Sequence, residues 1–282
     1  MLAWPLAIAA AIALIYLLYK FRKKTLLPAL ASFMFFAAAL AALAWWGLKG
    51  GDWTHHTLGS GVEEGAGNVL GQTNDLAIIK IKEKVLIDAP VVKQLPELPR
   101  GCEVTSLAML METAGTRVDK MELARKIQKD ETPYQIKNGM IHFGNPHSGY
   151  VGNMYTYSKP GYGVYHEPVQ NLAEEYLPDK IVNLTGQSFD ELKIPLSDGR
   201  PVWVIINTQY RELEDSYFET WQTKAGAVRV TMKEHSVLIT GYDRNYVYFN
   251  DPLTGKKNRK APIDDFEKSW VQMGSQALTY LN

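Results

Sequence analysis

The stretch LPRGCEVTSLAMLMETAG, residues 98–115, contains Cys102, the single cysteine of this 282-residue chain. Pro99 and Gly101 precede the cysteine, and apolar residues recur after it at helical spacing until Gly115, a residue type that commonly ends helices. This pattern predicts a helix that begins at the cysteine. Because one cysteine cannot form an intramolecular disulfide, the thiol of Cys102 is free.

A free thiol at this position has two interpretations. Lone cysteines are most often small buried apolar residues. At the start of a helix, however, unpaired N–H groups and the helix dipole favour the thiolate and lower the pKa of the thiol, which makes a cysteine nucleophilic. A nucleophilic cysteine also requires a base, usually a histidine, within hydrogen-bond reach.

The sequence EHSVLITGYDRNYVYFND, residues 234–251, predicts a β-hairpin that brings such a histidine next to an aspartate. His235 stands at the start of the first strand and Asp251 at the end of the second. An aspartate there can bind one imidazole nitrogen and fix the tautomer. Taken singly, the two residues are explained equally well as a core histidine and a turn residue before Pro252. Together with Cys102 they favour a nucleophile, a base and an orienting carboxylate.

Acyl transfer to a thiol passes through an oxyanion, which needs hydrogen-bond donors. The backbone N–H of Cys102 is one candidate donor. The side-chain amide of Gln94, eight residues upstream, is a second. A polar loop residue is an equally good explanation of Gln94.

The order Gln94, Cys102, His235 and Asp251 resembles the papain-like clan, and more specifically the C39-like family of cysteine peptidases. The resemblance spans most of residues 85–280. Its motifs are Gln94, GCEVTSL at 101–107, EHSV at 234–237 and NDP at 250–252. GCEVTS differs from the motif of the bacteriocin-processing members, so the chain is more similar to the stand-alone branch.

The resemblance implies an α+β fold in which an N-terminal helix carrying the nucleophile packs on an antiparallel sheet. It implies that Cys102 cleaves a peptide or amide bond of a peptide or protein substrate, with His235 as the base and Asp251 as the orienting group. Gln94 then takes the role of oxyanion donor. No cofactor or metal is expected.

Other regions of residues 76–282 show weaker patterns. Residues 141–168 are rich in glycine and aromatic residues and predict a long loop with a candidate substrate rim of Tyr162, Tyr165 and His166, whose rings would serve equally as core packing. GKKNRK, residues 255–260, predicts a solvated turn. Helices are predicted at 119–130 and 169–177, strands at 76–87 and 200–208, and a further helix or strand at 269–281.

Two apolar runs, residues 1–19 and 25–48, are each long enough to cross a bilayer, and KFRKK lies between them. They predict a membrane anchor of two transmembrane helices over 1–48, followed by a flexible linker at 49–75 and a peptidase domain at 76–282. Because basic connections stay in the cytoplasm, the domain is expected at the cell membrane on the extracytoplasmic side. A cleavable signal peptide and a single span are the alternatives.

Composition limits the partners. The 30 basic and 30 acidic residues balance, which argues against a nucleic-acid partner. No Walker A sequence is present, so no ATP-binding domain is expected. The lipid bilayer and a peptide or protein substrate are the expected partners. Two other functions stay open, a cell-wall amidase or endopeptidase of a related papain-like group and a membrane-tethered peptide-binding module without turnover.

Overall fold

The computed structural model describes residues 80–282. The predicted membrane anchor and linker lie outside these residues. Within the described range, no helix combines the length and the apolar character that crossing a membrane requires.

The described residues alternate short helices with a larger number of strands. In chain order the elements are β1 Val85–Leu86, α1 Cys102–Thr113, α2 Lys120–Lys126, β2 Lys129–Asp130, β3 Gln135–Lys137, β4 Met140–His142, β5 Tyr150–Val151, α3 His166–Tyr176, β6 Ile181–Asn183, α4 Phe189–Ser197, β7 Val202–Asn207, a 3-10 turn Asp215–Tyr217, β8 Glu219–Thr223, β9 Gly226–Val230, β10 Glu234–Tyr242, β11 Tyr246–Asp251, β12 Lys256–Pro262, α5 Ile263–Gln272 and β13 Ala277–Tyr280.

The main sheet is antiparallel throughout, with strand order β12-β11-β10-β7-β13-β6, and β1 pairs with the far end of β10. Successive side chains of β7 point to opposite faces. Trp203 and Ile205 therefore pack with α1 and α3, whereas Val202, Val204 and Ile206 pack with α4 and α5. The sheet is thus covered by helices on both faces, and the predicted α+β arrangement of a helix on an antiparallel sheet is confirmed.

Helix α1 is buried over Cys102–Met111, on all sides of the helix. Its C-terminus is a Schellman motif, in which Gly115 has a φ of 82° and the N–H of Thr116 donates to the Met111 carbonyl at 2.9 Å. Near its N-terminus, Ser106 Oγ donates to the Ser236 carbonyl at 3.1 Å. The first turns of α1 are therefore attached to the start of β10.

Most local predictions are confirmed and three are corrected. The hairpin forms with Leu238 opposite Asn250, and residues 269–281 contain both a helix end and a strand. The helix predicted at 119–130 ends at Lys126 because Lys129 and Asp130 pair with the loop strand β5. Of the strand predicted at 76–87, the described part forms only Val85–Leu86. GKKNRK is mostly strand β12, because it continues the sheet beyond β11, and is not a solvated turn.

A second sheet, with strand order β3-β4-β8-β9, was not predicted. It joins residues 135–142 to residues 219–230, with β4 parallel to β8. Phe143, Tyr162 and Trp221 lie in the apolar cluster beneath this sheet. The aromatic loop is therefore partly packed on it.

Candidate functional site

A cavity of about 230 Å³ lies where the N-terminus of α1 meets the start of β10. It is lined by Gln94, Pro99, Arg100, Cys102, Tyr157, Tyr162, Thr208, Thr231, Met232, Glu234, His235 and Leu253. The fold thus brings Gln94, Cys102 and His235 to one cavity although more than a hundred residues separate the cysteine from the histidine. Asp251 is not among the lining residues, but it contacts His235, which is.

Cys102 is the first residue of α1, with Gly101 as the N-cap. A side chain at position 101 would collide with Leu98, whose Cβ would lie 2.7 Å from the added carbon. Because Cys102 is the first helical residue, its N–H has no partner within the helix and is free for an oxyanion. The thiol is 6% exposed and donates to Glu103 Oε2 at 3.3 Å.

The surroundings of Cys102 do not favour the thiolate in the resting protein. Burial raises the pKa of the thiol well above its ordinary value, and the carboxyl groups of Glu103 and Glu234 raise the pKa further. The sequence-based expectation of a lowered pKa considered the helix N-terminus and pairing with an imidazolium. It could not include two acidic side chains beside the sulfur.

His235 and Asp251 form the predicted pair. His235 Nε2 lies 2.9 Å from Asp251 Oδ1, and the two side chains are 2% and 0% exposed. The second carboxylate oxygen accepts from Thr254 Oγ1 at 2.8 Å, from Tyr210 at 3.2 Å and from Arg259.

These hydrogen bonds keep Asp251 ionised. Burial raises the pKa of the Asp251 carboxyl, but the bonds from His235, Thr254 and Arg259 outweigh it and hold that pKa well below its usual range. A carboxylate at Nε2 selects the tautomer that carries its proton there, so Nδ1 of His235 is the nitrogen able to accept a proton.

The Gln94 amide lies in the cavity wall but its donors are already used. Nε2 donates to the carbonyls of Leu98 at 3.2 Å and Pro99 at 3.0 Å. Among the described residues, the buried Oε1 has no hydrogen-bond partner. Donation from Gln94 to an oxyanion therefore requires Nε2 to release one of these carbonyls.

The three candidate rim residues are placed differently. Tyr162 lines the cavity, whereas Tyr165 and His166 do not. The Tyr165 hydroxyl lies 2.9 Å from that of Tyr162, behind the cavity wall. His166 begins α3, and its Nδ1 lies 3.2 Å from Gln276 Oε1.

Sequence reasoning assigned no role to several residues of the site. Glu103 and Glu234 flank the thiol, and Tyr210, Thr254 and Arg259 hold Asp251. The available signal for Glu103 was a charged residue next to Cys102, in the first turn of a largely buried helix. Ligand atoms of Cys102, Glu103 and Glu234 lie within 4.8 Å of one another, close enough to hold a metal ion. One of these contacts is the hydrogen bond from the Cys102 thiol to Glu103 Oε2, so the cluster is explained without a metal ion.

A buried helix that begins at a cysteine packs on an antiparallel sheet that carries a histidine and an aspartate, and this is the α+β arrangement of a C39-like peptidase fold. The sequence pattern of the Peptidase_C39 like family matches residues 86–278, well over half of the chain, and the protein belongs to that family. The resemblance drawn from the sequence is therefore confirmed.

Two relatives agree with this assignment. The chain is 45% identical over 183 residues to the uncharacterized protein YvpB of Bacillus subtilis (strain 168), covering 65% of this chain and 70% of that protein. A crystal structure of a candidate C39-like peptidase from Bacillus anthracis is 48% identical and has a TM-score of 0.67, covering 71% of this chain and 98% of that one. Family membership supports a peptidase or hydrolase function.

Proposed function

We propose that this protein is a membrane-anchored thiol hydrolase of the C39-like cysteine peptidase type, which cleaves a peptide or amide bond through a thioester on Cys102. The observation that carries the proposal is the shared cavity of Cys102 and His235, with Asp251 bound to the far nitrogen of the imidazole. A buried histidine held in one tautomer is suited to act as a general base.

In the proposed reaction, Nδ1 of His235 takes the Cys102 proton as the sulfur attacks the substrate carbonyl. The imidazolium that forms is stabilised by the Asp251 carboxylate. His235 then returns the proton to the leaving amine, which departs and leaves the thioester. Water, deprotonated by His235, hydrolyses the thioester and restores the thiol.

The negative charge of each tetrahedral intermediate needs donors in the cavity wall. The backbone N–H of Cys102 supplies one. Nε2 of Gln94 supplies the second after it exchanges the Leu98 or Pro99 carbonyl for the oxyanion. Removal of one such donor typically lowers kcat by roughly a hundredfold to a thousandfold.

The test uses the full-length chain and two substrate sets, a fluorogenic peptide library and peptidoglycan fragments. We expect Cys102→Ser and His235→Ala to abolish turnover and His147→Ala, at an exposed histidine outside the cavity, to retain it. Hydrolysis of peptides would support the peptidase, and hydrolysis of peptidoglycan fragments alone would favour the cell-wall alternative. Full turnover by Cys102→Ser contradicts the proposed mechanism.

A different set of results would distinguish a peptide-binding module without turnover from a hydrolase. Peptide binding that survives Cys102→Ser, with no hydrolysis by any form of the protein, would favour the module. Substitution of Tyr157, which lines the cavity and is 62% exposed, would then weaken binding.

A further inference from the structure

Beside the thiol lies a pair of carboxyl groups for which the proposed mechanism has no use. Glu103, the second residue of α1, is fully buried. Glu234 is the first residue of β10 and shares a strand face with Ser236 and Leu238, the face that packs on α1. Within residues 80–282, Glu234 Oε1 is buried without a hydrogen-bond partner.

Glu103 is held as an acceptor on both of its oxygens. Oε1 accepts from the backbone N–H of Val164 at 2.7 Å, and Oε2 accepts from the thiol of Cys102 at 3.3 Å. An ionised carboxylate is the form that only accepts. In this arrangement Glu103 holds the proton on the sulfur and competes with His235 for it.

The two carboxyl groups converge over Gly163. A Cβ at that position would lie 2.3 Å from Glu103 Oε1 and 3.0 Å from Glu234 Oε2. The absent side chain of Gly163 therefore provides the space in which both carboxyl groups fit.

No cation compensates this pair among the described residues. Arg100, the nearby guanidinium, donates to the backbone carbonyls of Asn153 and Thr156. His235 is bound to Asp251. The remaining titratable neighbours are the phenols of Tyr150, Tyr162 and Tyr165, whose pKa values burial raises.

Two close carboxyl groups in such surroundings do not both ionise readily. Burial raises the pKa of Glu103 to about 7, and burial followed by repulsion from Glu103 raises the pKa of Glu234 well above its ordinary value. One proton on the pair is therefore the stable state near neutral pH.

We propose that Glu103 and Glu234 share this proton and gate the nucleophile, a positioning role that rests on the proposed function of Cys102. With the proton on Glu234, the Glu103 carboxylate keeps the thiol protonated. With the proton on Glu103, its O–H donates to the sulfur and stabilises the thiolate that forms when His235 takes the thiol proton. No proton is lost, because one moves within the pair and the other moves from sulfur to imidazole.

The test measures the rate of alkylation by iodoacetamide against pH on the full-length chain, where Cys102 is the only cysteine and accounts for all labelling. In Glu103→Gln the amide can still accept from Val164, while its NH₂ donates to the sulfur. We expect this variant to react about tenfold faster than the wild type at pH 7, a change of about one unit in the thiol pKa. Glu191→Gln, an exposed substitution on α4, is the charge-matched control and should follow the wild type.

Glu234→Gln distinguishes a proton shared by the pair from two carboxyl groups that act on the thiol independently through their charges. It leaves Glu103 as the only carboxyl group of the pair, still placed to accept from the thiol, so we expect it to react no faster than the wild type. Acceleration equal to that of Glu103→Gln would overturn the shared proton. A profile of Glu103→Gln that superposes on the wild type would overturn the gate.

The wild type alone provides a second measurement if Glu103→Gln fails to fold. Its rate should depart from a single ionisation curve, with an inflection near neutral pH, and a single curve with the midpoint of the unfolded chain would overturn the proposal. The His235→Ala variant distinguishes a failure of the proposed gate from a failure of the proposed hydrolase function. Loss of labelling in His235→Ala with unmoved glutamine variants leaves the hydrolase proposal standing without the gate, whereas unchanged labelling in His235→Ala contradicts the hydrolase itself.

Discussion

Asp251 Oδ1 lies 2.9 Å from Nε2 of His235, and this contact determines which imidazole nitrogen can act as the base. Tyr210, Thr254 and Arg259 hold the other carboxylate oxygen, so the aspartate cannot rotate freely. The aspartate orients the ring, and its low pKa keeps it charged throughout the neutral range.

Asp251→Asn removes the charge but nearly keeps the shape. We expect kcat to fall by more than about tenfold, because the imidazolium loses its counter-charge and the amide can favour the wrong tautomer. The measurement is peptide hydrolysis against pH, with Asp190→Asn, an exposed substitution, as the control. Unchanged kcat in Asp251→Asn would show that His235 needs no orienting group.

Gln94→Ala tests the oxyanion donor. We expect kcat to fall by roughly a hundredfold while KM stays nearly constant, because the lost hydrogen bond forms only with the oxyanion. The carbonyls of Leu98 and Pro99 also lose one donor each but keep the Gly101 N–H and the Tyr157 hydroxyl, so the free energy of unfolding should fall by only about 1 kcal/mol. A variant that loses stability and keeps its kcat would limit Gln94 to supporting the loop before α1.

At the scale of the element, the two ends of α1 fix the position of Cys102. Gly101 allows the chain to pass Leu98 at the N-terminus, and Gly115 allows the left-handed turn at the C-terminus. The requirement at Gly101 is space, since its φ is −122°. The requirement at Gly115 is backbone conformation, since nothing lies within 4 Å of an added Cβ.

Alanine at these two positions should therefore have different effects. Gly115→Ala should lower the free energy of unfolding by about 1 kcal/mol and leave Cys102 alkylation unchanged. Gly101→Ala should displace the first turn of α1, and hydrolysis and alkylation should both change beyond the effect on stability. If the two substitutions changed alkylation equally, the N-terminus of α1 would not be what determines the position of Cys102.

The elements that carry the site were predictable because their signals are local. Apolar spacing and Gly115 defined α1, and a short turn defined the hairpin of His235 and Asp251. The second sheet was not predictable, because its strands β4 and β8 pair through His142 and Gln222, which are far apart in the chain. Arg259 was misassigned for a related reason, since a basic segment resembles a solvated turn until β11 is placed beside it.

At the scale of the whole molecule, the fully buried Glu103 of the carboxyl pair should make stability depend on pH. Because the pKa of Glu103 is raised from 4.5 to about 7, the folded protein binds this proton more tightly than the unfolded chain does. The resulting stability is fully present below pH 4.5 and is lost as the pH rises through about 7. The loss is on the order of 3 kcal/mol.

Urea unfolding at pH 5 and pH 8 measures this loss in the wild type and in Glu103→Gln. We expect the wild type to lose more stability than the variant between the two pH values. The lowered pKa of Asp251 acts in the opposite direction, stabilising at high pH and not at acid pH, but it is common to both proteins and cancels in the difference. Equal losses would contradict a buried ionisable Glu103.

The predicted anchor, residues 1–48, allows a separate test of where the peptidase domain lies. We expect proteinase K added to intact spheroplasts to degrade the domain, because the basic KFRKK segment keeps the connection between the spans in the cytoplasm. Lysed spheroplasts provide the control for protease access. Protection until lysis would contradict the extracytoplasmic assignment.

The most direct test of Cys102 as a histidine-activated nucleophile compares iodoacetamide alkylation of the wild type and His235→Ala over a range of pH, with both proteins also measured in guanidinium. The account predicts that folded wild type reacts at least about tenfold faster than folded His235→Ala at neutral pH, and that the two rates become equal on unfolding. Equal rates in the folded state would contradict it and return Cys102 to a buried structural residue.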